Sequence, residues 1–185
     1  RVMAQIVYYF TSAIALGAPE RKVSFSVPTG NFGDVYAGYI AKQMGLPIDQ
    51  LVVATNVNDI LSRTINGGEY KVGETIPTIS PSMDIQVSSN FERLLYNVYE
   101  GDGAEIRNLM ENLKQSGLFK TADEPLNKAK MNFDAMRVSE EETKNTISDV
   151  YSRGGHMIDP HTAVGVKAAR ENWRDQETPM VSLST

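Results

Sequence analysis

The run "TGNFGDV" places Gly30, Asn31, Phe32, Gly33 and Asp34 between a valine-rich stretch and an alanine-rich amphipathic one. A turn that leaves a strand's C-terminal end and enters a helix aims several unpaired backbone N–H groups at one spot. An anion suits that spot. Gly30 and Gly33 can take positive φ or remove a Cβ from the contact surface, and the Asn31 amide adds a donor. Spacing alone leaves a plainer reading open, a tight turn in which Asp34 only complements a helix dipole. Two nucleotide motifs are excluded. A P-loop needs a Gly-Lys-Ser/Thr ending, and the dinucleotide fingerprint needs G-x-G-x-x-G and an acidic residue ending the next strand, where Thr55 and Asn56 stand. The guest is then a phosphate monoester rather than a nucleotide.

Further along, Arg93 in "SSNFERLL" offers a bidentate partner for phosphate or carboxylate. Ser82, Ser88, Ser89 and Asn90 offer hydrogen bonds nearby, although loop and helix-cap duty would also explain them. His161, at a helix start, could face an anionic substrate, but its capping context favours a structural role; His156 reads as loop, and Lys71 and Lys167 as solvated surface. Tyr8, Tyr9, Phe10 and Trp173 read as core or domain-interface packing.

The elements that must position these residues follow from periodicity. "AQIVYYFTSAIALGAP" has helical apolar spacing ended by Gly17 and Pro19, which predicts a well-buried helix. "VSFSV" (23–27) and "LVVAT" (51–55) read as strands flanking a helix over 34–44, a βαβ unit of a doubly covered parallel sheet. Helices are expected over 58–65, "NFERLLYNVYE", "AEIRNLMENLKQSG", "SEEETKNTISDVYSRGG" and "DPHTAVGVKAARENW". Ser139 with Glu142 forms a capping box, and Asp159 caps a helix that has Pro160 at its first position. "MVSLS" suits a final strand. Residues 67–90 are rich in glycine, proline and hydroxyls without periodicity, and read as an irregular functional loop, with a floppy surface linker as the alternative. The expected architecture is an α/β three-layer domain with a mostly parallel twisted sheet.

Composition sets the bounds. The 185 residues, 41% of them hydrophobic, suit one globular domain with its own core. With no cysteine, disulfides and thiolate metal sites are excluded, two histidines leave little for an imidazole cluster, and a cytoplasmic setting fits. The charge of −5, with basic residues scattered singly, gives no nucleic-acid footprint, and no apolar run approaches membrane-spanning length. The chain opens at Arg1 without a methionine and stops in a β-leaning run, as a piece of a longer protein would.

"VPTGNFGDVYAGYIAKQMGLP" closely resembles the cofactor-phosphate loop of threonine synthases, pyridoxal-phosphate enzymes of the tryptophan-synthase-β-like fold type II. "NVNDIL", "TISPSMDIQVSSNFERLL", "IDPHTAVG" and "VSLST" are similar to further segments of that family in the same order, so the resemblance covers nearly the whole chain. One departure is Val57, where the family carries glutamate. The resemblance implies a lyase of threonine biosynthesis that converts O-phospho-L-homoserine and water to L-threonine and phosphate. It implies that residues 1–185 form part of the larger, cofactor-holding domain of a two-domain enzyme. Gly30, Asn31, Phe32, Gly33 and Asp34 would then surround the phosphate of pyridoxal 5'-phosphate, with the Asp34 side chain turned away, and the Thr185 hydroxyl would meet the pyridine nitrogen. None of the lysines here sits in the family's Ser-x-Lys-Asp-type context, so the Schiff-base lysine is expected upstream and the isolated chain is expected to be inactive. The rival readings are a non-catalytic phosphate-ester-binding module and a related enzyme such as threonine dehydratase or cysteine synthase. Oligomeric state is not legible.

Overall fold

Parallel strands buried on both faces need near-continuous apolar side chains, and two segments meet that demand. In a computed structural model that describes residues 1–184, Val23–Pro28 (β1) and Ile48–Thr55 (β2) pair in parallel, with Val27 opposite Val53 and Pro28 opposite Ala54. The helix Val2–Ala15 (α1) precedes β1, and Gly33–Gln43 (α2) connects it to β2. Ile60–Gly67 (α3), a short strand Glu69–Lys71 (β3), a 3-10 turn at Pro81–Met83 and two helices, Phe91–Val98 (α4) and Gly103–Ser116 (α5), follow. Leu118–Lys120 (β4), Asp123–Lys130 (α6), Phe133–Arg137 (β5), Glu140–Gly154 (α7), Pro160–Asn172 (α8) and Met180–Ser182 (β6) complete the order.

The main sheet runs β5-β2-β1-β6, all parallel, while β3 and β4 form a separate antiparallel pair. Val23, Phe25, Val27, Leu51 and Val53 belong to the core that also takes in buried side chains of α1, α2 and α3. Val52 and Ala54 point to the opposite face of the sheet from Leu51 and Val53 and pack with Val164 and Ala168 of α8. Gly165 lets α8 lie close on β1, since a Cβ there would stand 2.9 Å from the Pro28 ring, and its carbonyl accepts a 2.7 Å bond from the Ser26 hydroxyl. These are the three layers.

The capping box at Ser139 and Glu142 is formed, and Asp159 caps α8 ahead of Pro160. Two expectations need correction. Helix α1 is not well buried: only Tyr9 and Ala13 are enclosed, while Met3, Val7 and Ile14 stand exposed, because its apolar residues wrap around the helix instead of forming one stripe. Residues 67–90 are not irregular throughout, since Glu69–Lys71 within them is a strand. Among the described residues no helix is long and apolar enough to cross a membrane.

Candidate functional site

From β1 the chain crosses by α2 to β2 on one side, whereas β6 is added on the other side of β1. That reversal opens a crevice at the strands' C-terminal ends, the usual ligand position in open α/β sheets. A cleft of about 490 Å³ lies there, bordered by Gly30–Asp34, Ser82 and Met83, Asn90, Arg93, His161 and the first turns of α1.

The turn itself is built to leave donors free. Thr29 anchors it by an N–H bond of 2.8 Å to the Ala54 carbonyl and a hydroxyl bond of 2.6 Å to the Val27 carbonyl. The carbonyl of Gly30 accepts from the Ser88 hydroxyl at 3.0 Å, and that of Asn31 accepts from the Asn90 amide side chain at 2.8 Å. The N–H groups of Asn31, Phe32, Gly33 and Asp34 have no acceptor among the described residues. Carbonyls are thus turned back into the protein while a helix N-terminus presents its amides to the cleft.

Positive φ in this turn falls on Phe32 (φ 61°), not on Gly30 or Gly33. The ring compensates for the backbone cost by burial, 5.2 Å edge-on to Phe91 and 5.6 Å from Phe133. The glycines serve close approach instead. A Cβ on Gly30 would lie 2.7 Å from the Ser82 carbonyl oxygen, and one on Gly33 would lie 3.3 Å from the Asn90 side-chain nitrogen.

Asp34 faces α1. Its carboxylate accepts from the Tyr8 hydroxyl at 2.5 Å and lies 3.0 Å from the Tyr9 hydroxyl. Burial raises the Asp34 pKa, opposed by those two hydroxyls and by the charge of Arg1. Burial also raises the tyrosines, reinforced by the neighbouring carboxylate. The acidic group at the helix start is therefore held aside by phenols. Tyr8 and Tyr9 have this polar role in addition to packing, and no local sequence signal marks pairings across 26 and 25 positions.

The opposite wall, residues 76–90, is pinned by Asp84. Its carboxylate accepts from the Thr78 N–H (2.8 Å) and hydroxyl (2.6 Å), and from the side-chain amides of Asn56 (2.8 Å) and Asn58 (3.1 Å). Ser82 donates its N–H to His161 Nε2 at 3.2 Å, and His161 Nδ1 lies 3.0 Å from Asp159 Oδ1. Burial works to raise the Asp159 pKa, but hydrogen bonds from Thr162 and His161 outweigh it and hold the group at about 2.

Of the residues expected at the site, Gly30, Asn31, Phe32, Gly33, Asp34, Ser82, Asn90 and Arg93 converge on the cleft. Ser88 sits behind the turn as a support, and Ser88 and Ser89 border a separate small cavity beside α4 and the β3–β4 pair. Thr185 lies outside the described residues. Gln5 and Met83 line the cleft without having been expected there, as does His161, for which the capping reading was preferred. For His161 the available signal was its place at the start of a helix that packs beside the sheet's C-terminal edge.

No protein-family model matches the chain. Over its whole length it is 53% identical to a threonine synthase of Pseudomonas aeruginosa, of which it spans 39%. A solved threonine synthase from Brucella melitensis, with PLP bound, matches the whole chain at 56% identity and a TM-score of 0.98, the chain covering 40% of it. The chain is a homologue of the threonine synthases. A maize serine racemase, 13% identical with a TM-score of 0.59, shares the fold alone. The homology to threonine synthases takes in the turn, the wall and the start of α8, and the chain spans about two fifths of those proteins' length.

Proposed function

We propose that the full-length protein is a threonine synthase, a pyridoxal-phosphate-dependent lyase that converts O-phospho-L-homoserine and water to L-threonine and phosphate. In this reading the present chain carries the cofactor-phosphate cradle. The observation that supports it most is the row of N–H groups from Asn31 to Asp34, which has no acceptor among the described residues at the start of α2. That donor set fits a phosphate dianion, since amides and a helix dipole supply positive field without a competing counter-ion. The tyrosine hydroxyls on Asp34 keep its carboxylate turned to α1. Bound there, the cofactor would supply an electron sink for the substrate carbons.

The chain's own residues bind and orient. Gly30, Asn31, Phe32, Gly33 and Asp34 would hold the cofactor phosphate, and the Thr185 hydroxyl would donate to the pyridine nitrogen. Arg93, exposed at the rim, pairs with the substrate's phosphate or carboxylate, and Ser82 and Asn90 donate beside it. Ser88 shapes the turn from behind, and Ser89 takes a peripheral place. No lysine lines the cleft. Lys167 is paired with Glu171 at 2.8 Å, which accords with a covalent anchor of the cofactor outside this chain. A cytoplasmic location accords with the lack of cysteine.

Phosphate and threonine production from O-phospho-L-homoserine by the full-length protein tests the assignment. Stoichiometric release of both supports it. Cofactor binding without turnover would favour a phosphate-ester-binding module, and release of an oxo acid from threonine or serine would favour a dehydratase.

A further inference from the structure

Residues 76–90 reach the phosphate turn at Ser82, whose carbonyl oxygen stands 2.7 Å from where a Gly30 Cβ would lie. There is no slack at this contact. Asp84 fixes the wall to the end of β2, but the backbone of Ser82 is held by a different group, the His161 imidazole. That side chain is only 18% exposed. Asp159 Oδ1, 3.0 Å from Nδ1, is an acceptor and therefore places the ring proton on Nδ1. The Nε2 lone pair is left to accept the Ser82 N–H at 3.2 Å. Asp159 is itself fixed, because it caps α8 through the N–H groups of His161 (2.8 Å) and Thr162 (3.2 Å).

We propose that His161 is a positioning residue that, fixed in its Nδ1–H form by Asp159, holds Ser82 over Gly30 and so sets the shape of the phosphate turn. The imidazole joins the start of α8 to the 76–90 wall and, through Ser82, bears on Gly30 in the turn that leads into α2. Its effect on the cofactor is indirect. This role rests on the cradle reading above, whereas the tie between His161 and Ser82 is separately measurable.

The test uses the full-length holoenzyme as wild type, His161→Ala and His161→Gln, the last retaining a side-chain oxygen that can accept the Ser82 N–H. Hydrogen exchange of the peptide spanning 79–85 is followed by mass spectrometry, and pyridoxal-phosphate affinity by absorbance titration. His161→Ala should accelerate exchange in that peptide by about fivefold or more, as loss of one net hydrogen bond implies, leave α5 unchanged, and weaken cofactor affinity severalfold. His161→Gln should recover most of both. Unchanged exchange in the alanine variant, or a glutamine variant no better than alanine, overturns the clip. Altered exchange with wild-type cofactor affinity overturns the link from wall to cradle. If the alanine variant does not fold, the imidazole ¹⁵N spectrum of the wild type decides, since an Nε2–H form contradicts the arrangement. A wild type that binds no pyridoxal phosphate defeats the proposed function, while the exchange result still decides the clip.

Discussion

Gly30→Ala is the smallest change that separates close approach from backbone freedom in the phosphate turn. Gly30 does not use positive φ, so alanine meets no dihedral penalty there. Its Cβ would stand 2.7 Å from the Ser82 carbonyl oxygen and 3.4 Å from the Met83 Cα, both backbone atoms of the wall. Reaching an ordinary contact of about 3.4 Å requires roughly 0.7 Å of backbone movement, and overpacking of that kind costs about 1–3 kcal/mol. The unliganded protein can relieve part of this by tilting Ser82 outward. A turn closed around a phosphate cannot, and the difference appears as weaker cofactor binding, by about tenfold for each 1.4 kcal/mol. Gly33→Ala is the internal control, because its Cβ meets the Asn90 side-chain nitrogen at 3.3 Å, and an amide side chain can move. Cofactor titration and thermal unfolding of the full-length variants measure both effects. We expect a clear loss of affinity for Gly30→Ala and a loss of threefold or less for Gly33→Ala. Wild-type affinity and melting temperature for Gly30→Ala, or a larger loss for Gly33→Ala, would refute the reasoning.

Three further outcomes are expected. Phe32→Ala, which removes a fully buried ring between Phe91 and Phe133, should destabilise by about 3–5 kcal/mol in urea titrations, and a loss below about 1 kcal/mol would contradict the packing account. Asp84→Ala leaves the buried amides of Asn56 and Asn58 without their shared acceptor and should cost about 3 kcal/mol, with raised protease sensitivity over 76–90; an intact wall would show that the neighbours suffice. Asp159 is depressed from 3.8 to about 2, so its ionised form stabilises the fold above about pH 4, and that contribution is lost as pH falls toward 2. The shift corresponds to about 2.4 kcal/mol unscreened and about 1 kcal/mol once solvent exposure of the carboxylate is allowed for. The stability gap between wild type and Asp159→Asn should therefore shrink by that amount between pH 5 and 2, and a gap independent of pH would exclude this linkage.

The βαβ unit around α2 was legible because Val23–Pro28 and Ile48–Thr55 are buried almost continuously, and burial on both faces shows directly in composition. The caps of α7 and α8 were legible because their signals span only three or four residues. The β3–β4 pair was not, since three residues cannot establish a period of two. Strand β5 escaped for a different reason. It is a sheet edge with mixed burial, and its Asp134 pairs with Gln50 and Arg174 instead of following an apolar pattern. In the site, the glycine turn could be recognised, but the reason for its glycines could not. Gly30 meets Ser82 from 52 positions away, and that contact depends on the whole course of the 76–90 wall. The same applies to Tyr8 and Tyr9 on Asp34 and to His161 on Ser82, all side-chain meetings fixed by topology.

In the proposed function the N–H groups from Asn31 to Asp34 would hold the cofactor phosphate. A crystal structure of the full-length protein with pyridoxal phosphate bound tests it most directly. Phosphate oxygens are expected within about 2.7–3.2 Å of several of those backbone nitrogens, with the Asp34 carboxylate still on Tyr8 and Tyr9. A phosphate held elsewhere, with the start of α2 facing only solvent, would contradict it.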